Sequence, residues 1–136
     1  LLVTLVGKLS SNRSYQAEVF LPHPYTFSMM KLFAFRDRLK DSDREFGRYH
    51  ALDLYTIIAT TGEEEWEYAL ELRDQQGHQP CALEAGRLVS EYFSALDRLG
   101  MMRLRESPYY RPELQLNEFM SALLELFPAT VKPNPK

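Results

Sequence analysis

Residues 22–59, Pro22-His-Pro-Tyr-Thr-Phe-Ser-Met-Met-Lys31-Leu-Phe-Ala-Phe-Arg36-Asp-Arg38-Leu-Lys-Asp41-Ser-Asp-Arg-Glu-Phe-Gly47-Arg-Tyr-His50-Ala-Leu-Asp53-Leu-Tyr-Thr-Ile-Ile-Ala59, decide the fold of this chain. Pro22 and Pro24 end any preceding strand, because proline removes ladder donors and fixes the backbone. Thr26 then offers a hydroxyl N-cap for a helix predicted to reach about Lys40. Phe27, Met29, Met30, Leu32, Phe33, Phe35 and Leu39 leave that helix no broad polar face, which places it in the interior. After a polar connection from Asp41 to Gly47, a second helix is predicted from Arg48 to about Thr60. Ala51, Leu54 and Ile58 form one of its stripes, and His50, Asp53 and Ile57 form another. Lys31, Arg36, Arg38, His50 and Asp53 are thus set into largely apolar helices. Burying charge is costly unless it is paired or used, so these groups mark either a site or a buried ionic clasp.

On the N-terminal side, Leu1-Leu-Val-Thr-Leu-Val reads as a strand, and Tyr15, Ala17, Val19 and Leu21 alternate with Gln16 and Glu18 as a second. Ser10 to Ser14 supplies a polar turn between them, so residues 1–21 are expected to form a β-hairpin. A lone hairpin is marginal in water. It therefore either completes a larger sheet, with strands lying before Leu1 or in another chain, or packs on the helices that follow. The start in full strand character also leads us to expect a piece of a longer protein.

On the C-terminal side, Thr61 is expected to cap a third helix with Glu64 at N3, the acidic run Glu63-Glu64-Glu65 lying against the positive end of the helix dipole. Trp66, Ala69, Leu70 and Arg73 define its face, and Gly77 with Pro80 ends it. A fourth helix carries Leu88, Val89, Tyr92, Phe93 and Leu96. Gly100, Pro108 and Pro112 interrupt the pattern, so Met101, Met102 and Leu104 read as a buried connector or a short helix. A last helix is expected from about Glu113 to Phe127, and residues 129–136 as a disordered tail. The fold class is mainly α (α+β): an N-terminal hairpin followed by a bundle of about five helices over residues 22–128.

With 136 residues, 45% of them apolar and 26% charged, the chain has the composition of one ordinary globular domain. A net charge of -3 speaks against a general nucleic-acid binder, although residues 31–48 carry six Lys or Arg against four Asp or Glu. One cysteine excludes an internal disulfide, and no apolar run nears the roughly 20 residues of a membrane span, so a cytoplasmic setting is expected.

Lys31 and Arg38 lie two turns apart on one helix, while His50 and Asp53 share a face of the next. Antiparallel packing would bring the pairs together. Two rigidly held cations suit a polyphosphate or other anion, with Asp53 orienting one of them or His50; the structural alternative is an ion pair locking two core helices. Asp41-Ser42-Asp43 resembles a metal-binding pair of carboxylates, but its place in a loop favours a solvated turn. His23 and His78 have no metal-ligand spacing and read as surface residues, and Cys81 as a small buried filler. Tyr109-Tyr110-Arg111 is aromatic, basic and suited to a partner protein.

Leu21-Pro22-His23-Pro24-Tyr25, Met30 to Arg38 and Arg48 to Tyr55 together resemble the bacterial nucleotidyltransferase-like family related to abortive-infection toxins. There a strand ending in Leu-Pro leads into a helix patterned K-L-x-A-x-x-x-R, followed by a helix containing D-L-Y. Lys31, Leu32, Ala34, Arg38, Asp53, Leu54 and Tyr55 match. The resemblance implies a C-terminal portion whose full-length protein would transfer a nucleotide from a nucleoside triphosphate with Mg²⁺. The Gly-Ser and paired aspartates that hold the metal have no counterpart here, so this chain alone should be inactive. It implies Asp53 as the catalytic or orienting carboxylate and Lys31 and Arg38 as triphosphate-binding groups; Arg36 and His50, set into the same two helices, are expected as further substrate-binding groups, and no metal ligand is expected in this chain. An antitoxin or other protein, and a nucleotide, are the implied partners. The competing expectation is a non-enzymatic helical interaction module.

Overall fold

The structure, a computed structural model, describes residues 2–41 and 44–129, and at residues 44–46 the backbone only. Strands β1 (Leu2–Lys8) and β2 (Ser14–Phe20) pair antiparallel, with Leu2 opposite Phe20 and Lys8 opposite Ser14. Asn12 turns the chain at φ 63°, a left-handed conformation that asparagine tolerates better than most residues. Strand alternation puts Val3, Leu5, Tyr15, Ala17 and Val19 on one face, and Leu2, Thr4, Val6, Glu18 and Phe20 on the other. Neither face is covered: Val6 at 76% and Phe20 at 82% exposure lie on one, and Leu5 at 52% and Tyr15 at 56% on the other. Among the described residues there is no third strand, and the hairpin makes no more than marginal contact with any helix. Of the two alternatives for the hairpin, packing onto the helices is therefore not found among the described residues.

Six helices follow among the described residues: α1 (Pro24–Asp37), α2 (Arg44–Thr60), α3 (Glu63–Gln76), α4 (Pro80–Tyr92), α5 (Leu99–Glu106) and α6 (Leu116–Leu126). The fold is mainly α, a hairpin followed by a helical bundle. α1 and α2 form the central pair; α3 and α4 pack on α1, α5 packs on α2, and α6 closes against α2, α3 and α4. Their shared interior holds Leu32, Phe35, Leu54, Leu88, Phe93, Met101, Leu104, Phe119, Leu123 and Phe127, each at most 1% exposed. Each such side chain contributes roughly 1.5–3 kcal/mol by leaving water. Phe93 stands at the centre, its ring 5.2 Å from that of Phe35 and 6.3 Å from that of Phe119. Gly100 is required there, since a Cβ would lie 2.5 Å from the Phe93 ring.

Several local expectations are corrected. α1 begins at Pro24, not after Thr26: His23 is the N-cap, its ring accepting from the Tyr25 amide at 3.4 Å, and Pro24 sits where its missing N–H is harmless. α1 also ends at Asp37 instead of Lys40, and it is not interior all round. Tyr25, Ser28, Met29, Leu32 and Phe35 are buried, but Met30 is 52% exposed, because neighbours cover only one side of the helix. α2 begins at Arg44, four residues earlier than predicted. α3 is capped by Gly62, with Glu65 at N3 accepting from the Gly62 amide at 3.3 Å. The Thr61 hydroxyl instead donates to the Ile57 carbonyl at 2.6 Å and belongs to the end of α2.

The connector that held Met101 and Leu104 is helix α5. α6 starts at Leu116, not Glu113, because the backbone of Leu114 is already engaged by the Tyr55 hydroxyl. Cys81 is exposed rather than a buried filler, since it occupies the outer side of the first turn of α4. The expected tail lies outside the described residues except for Ala129.

Candidate functional site

α1 and α2 run side by side with Lys31 facing Asp53. The Lys31 ammonium donates to the Asp53 carboxylate at 2.8 Å and also lies 5.4 Å from the centre of the Phe27 ring. The side chains are 22% and 47% exposed, so this is a bridge at the edge of the bundle and not a core clasp. His50 lies one turn before Asp53 and is half-buried, with no hydrogen-bond partner for its Nδ1 among the described residues. Its pKa falls below the usual 6.5, first because burial disfavours the imidazolium, then because of Lys31 and Arg38; Asp53 opposes them. At neutral pH His50 is therefore the neutral member of the group, in the field of two cations and one carboxylate.

Arg38, at the C-cap of α1, acts on His50 through its charge and donates to Asp41 at 3.1 Å. Sequence spacing left Asp53 a choice between Lys31 and Arg38, and the Lys31 pair is the one observed. Arg36 does not join them. Five positions beyond Lys31, it faces α4, bonding Asp37 at 3.0 Å and Glu84 at 3.4 Å while lying over the Phe33 ring. Of the five candidate residues, the structure thus gathers Lys31, His50 and Asp53, with Arg38 in electrostatic reach, and separates Arg36.

The other chemistry-bearing residues resolve differently. Among the described residues no three His, Cys, Asp or Glu side chains are grouped to hold a metal ion. Asp41 is bound to Arg38, and Ser42 and Asp43 lie outside the described residues. His23 is half-buried at its cap position, its ring set edge-on to Tyr68 at 4.6 Å, whereas His78 is exposed. In the connector after α5, Tyr109 is 66% exposed, but Tyr110 packs edge-on against Tyr55, and Arg111 donates to the Pro108 and Tyr110 carbonyls.

Two arrangements were not anticipated from sequence. The buried Tyr55 hydroxyl accepts from the Leu114 amide and donates to the Leu114 carbonyl, both at 2.7 Å, which ties the connector to α2. Glu84 lies between Arg87 and Arg36, whose hydrogen bonds hold its pKa at about 2. The i,i+3 spacing of Glu84 and Arg87 was a usable signal for the second; nothing local pointed to the first.

No known protein family, curated protein or solved structure matches this chain. Among the described residues no helix is long and apolar enough to cross a membrane.

Proposed function

We propose that this chain is the C-terminal, helical part of a nucleotidyltransferase-like protein and that its α1–α2 edge receives the phosphates of a nucleoside triphosphate. The observation that carries this reading is the half-exposed Lys31–Asp53 bridge with His50 beside it. A bridge with no function beyond holding two helices has no need of a neighbouring imidazole whose Nδ1 lacks a partner among the described residues. A triphosphate oxygen would take the Lys31 ammonium, Asp53 would hold that ammonium in place, and Arg38 would add a second donor from the C-cap of α1. The residues present fit the phosphates but, among the described residues, offer no set of donors for Mg²⁺, which would be bound by other residues of the protein. Mg²⁺ would screen the phosphate charge during nucleotidyl transfer.

A second reading, a non-enzymatic helical interaction module, draws on a different observation: both faces of the hairpin are open to solvent. Lys31→Met and Arg38→Met, each made in the protein together with its encoded upstream region, separate the two. The nucleotidyltransferase reading expects triphosphate affinity to fall at least tenfold with the melting temperature nearly unchanged. Binding retained while stability is lost would sink it. An upstream Gly-Ser followed by paired aspartates would be the simplest independent support.

A further inference from the structure

Lined by none of Lys31, Arg38, His50 and Asp53, a cleft of about 520 Å³ opens between the end of α2, the start of α3 and the outer stripe of α6. Ile58, Trp66, Leu114 and Ala122 supply its apolar wall, and Glu118 and Glu125 stand on its rim. Among the described residues no Lys, Arg or His lines it. Both carboxylates are exposed, and neither is paired with a cation among the described residues. Arg73, which reaches the Glu125 carbonyl, is bound to Asp74 and lines a separate cavity.

We propose that this cleft docks a basic amphipathic helix of a partner protein. The charge is complementary: an acidic rim over an apolar floor calls for apolar anchors flanked by Lys or Arg. The spacing favours a helix over a small organic cation. Glu118 and Glu125 lie seven positions apart on α6, about 10 Å along its axis, so they line the length of the cleft and do not converge on one point. A partner helix with basic residues seven apart and Leu or Phe between them presents the matching pattern. This inference is independent of the anion site on α1 and α2.

Trp66 is the only tryptophan, so its fluorescence reports the cleft alone. The probe is a Trp-free amphipathic 18-residue peptide of Leu and Lys, titrated beside a peptide of the same pattern with Glu in place of Lys. The Leu/Lys peptide is expected to shift Trp66 emission to the blue, with affinity that weakens as salt is raised. The double variant Glu118→Lys, Glu125→Lys should bind it at least tenfold more weakly while keeping its helical circular dichroism. Should that variant not fold, Ser121→Phe, which fills the cleft from an exposed position, should abolish the shift. Equal binding of the Leu/Glu peptide, undiminished binding by the folded charge-reversed variant, or absence of any response to the Leu/Lys peptide each overturns the proposal. So does the same Trp66 response to tetramethylammonium, which would assign the cleft to a small cation.

Discussion

At the scale of single residues, His50 and His23 tie the stability of the fold to pH. Burial is the first cause in both, and both pKa values lie below 6.5. The unfolded chain therefore takes up protons first as the pH falls. The stability tied to these groups is present above pH 6.5 and is lost as the pH drops from there through their folded pKa values. Urea midpoints measured from pH 7.5 to 5 should decline, and the decline should flatten in the double variant His50→Gln, His23→Asn, whose asparagine keeps a capping side chain. A decline of the same size in that variant would show that other groups set the pH response. Glu84, with its unfolded carboxyl at 4.5 and its folded one at about 2, gives up its stabilisation mainly below pH 5, outside most of this window.

At the scale of elements, the connection between α5 and α6 depends on one hydroxyl. Tyr55 is 3% exposed, and it satisfies both backbone groups of Leu114. Tyr55→Phe should leave those groups without their partner and destabilise the protein by about 1–3 kcal/mol, measured by chemical denaturation. Hydrogen exchange at Leu114 should accelerate more than at residues of α4. The same bond bears on the start of α6: the spacing of Leu116, Phe119, Met120, Leu123 and Phe127 suggested a helix from about Glu113, but the Leu114 carbonyl that such a first turn would use accepts from a side chain 59 positions earlier. Helix interiors were legible because periodicity is local. Their ends were less so, since His23 and Gly62 outcompeted the nearby threonines through backbone geometry that composition does not display.

At the scale of the whole molecule, hairpin and bundle are nearly independent in energy, since the strands pair with each other and barely touch the helices. Removing residues 1–21 should leave the helical circular dichroism in place and shift the melting temperature by no more than a few degrees. Amides of β1 and β2 should exchange far faster than those of α1 and α2 in the intact chain. A cooperative loss of the bundle on removal of the hairpin would contradict this. The charged face of α1 and α2 was partly legible for the same topological reason: two helices joined by a short connection must lie antiparallel, which brings Lys31 opposite Asp53.

By itself, the sequence determined the hairpin, the helical character of nearly everything after it, and the stripe of Ala51, Leu54 and Ile58 that enters the core. Those are consequences of residue spacing along a single element. Tertiary structure alone decided that Asp53 pairs with Lys31 while Arg38 goes to Asp41, that Arg36 faces α4, and that Trp66 meets α6 across an acidic-rimmed cleft. Each of these depends on the rotation and approach of one helix against another, which side-chain packing fixes and local periodicity leaves open.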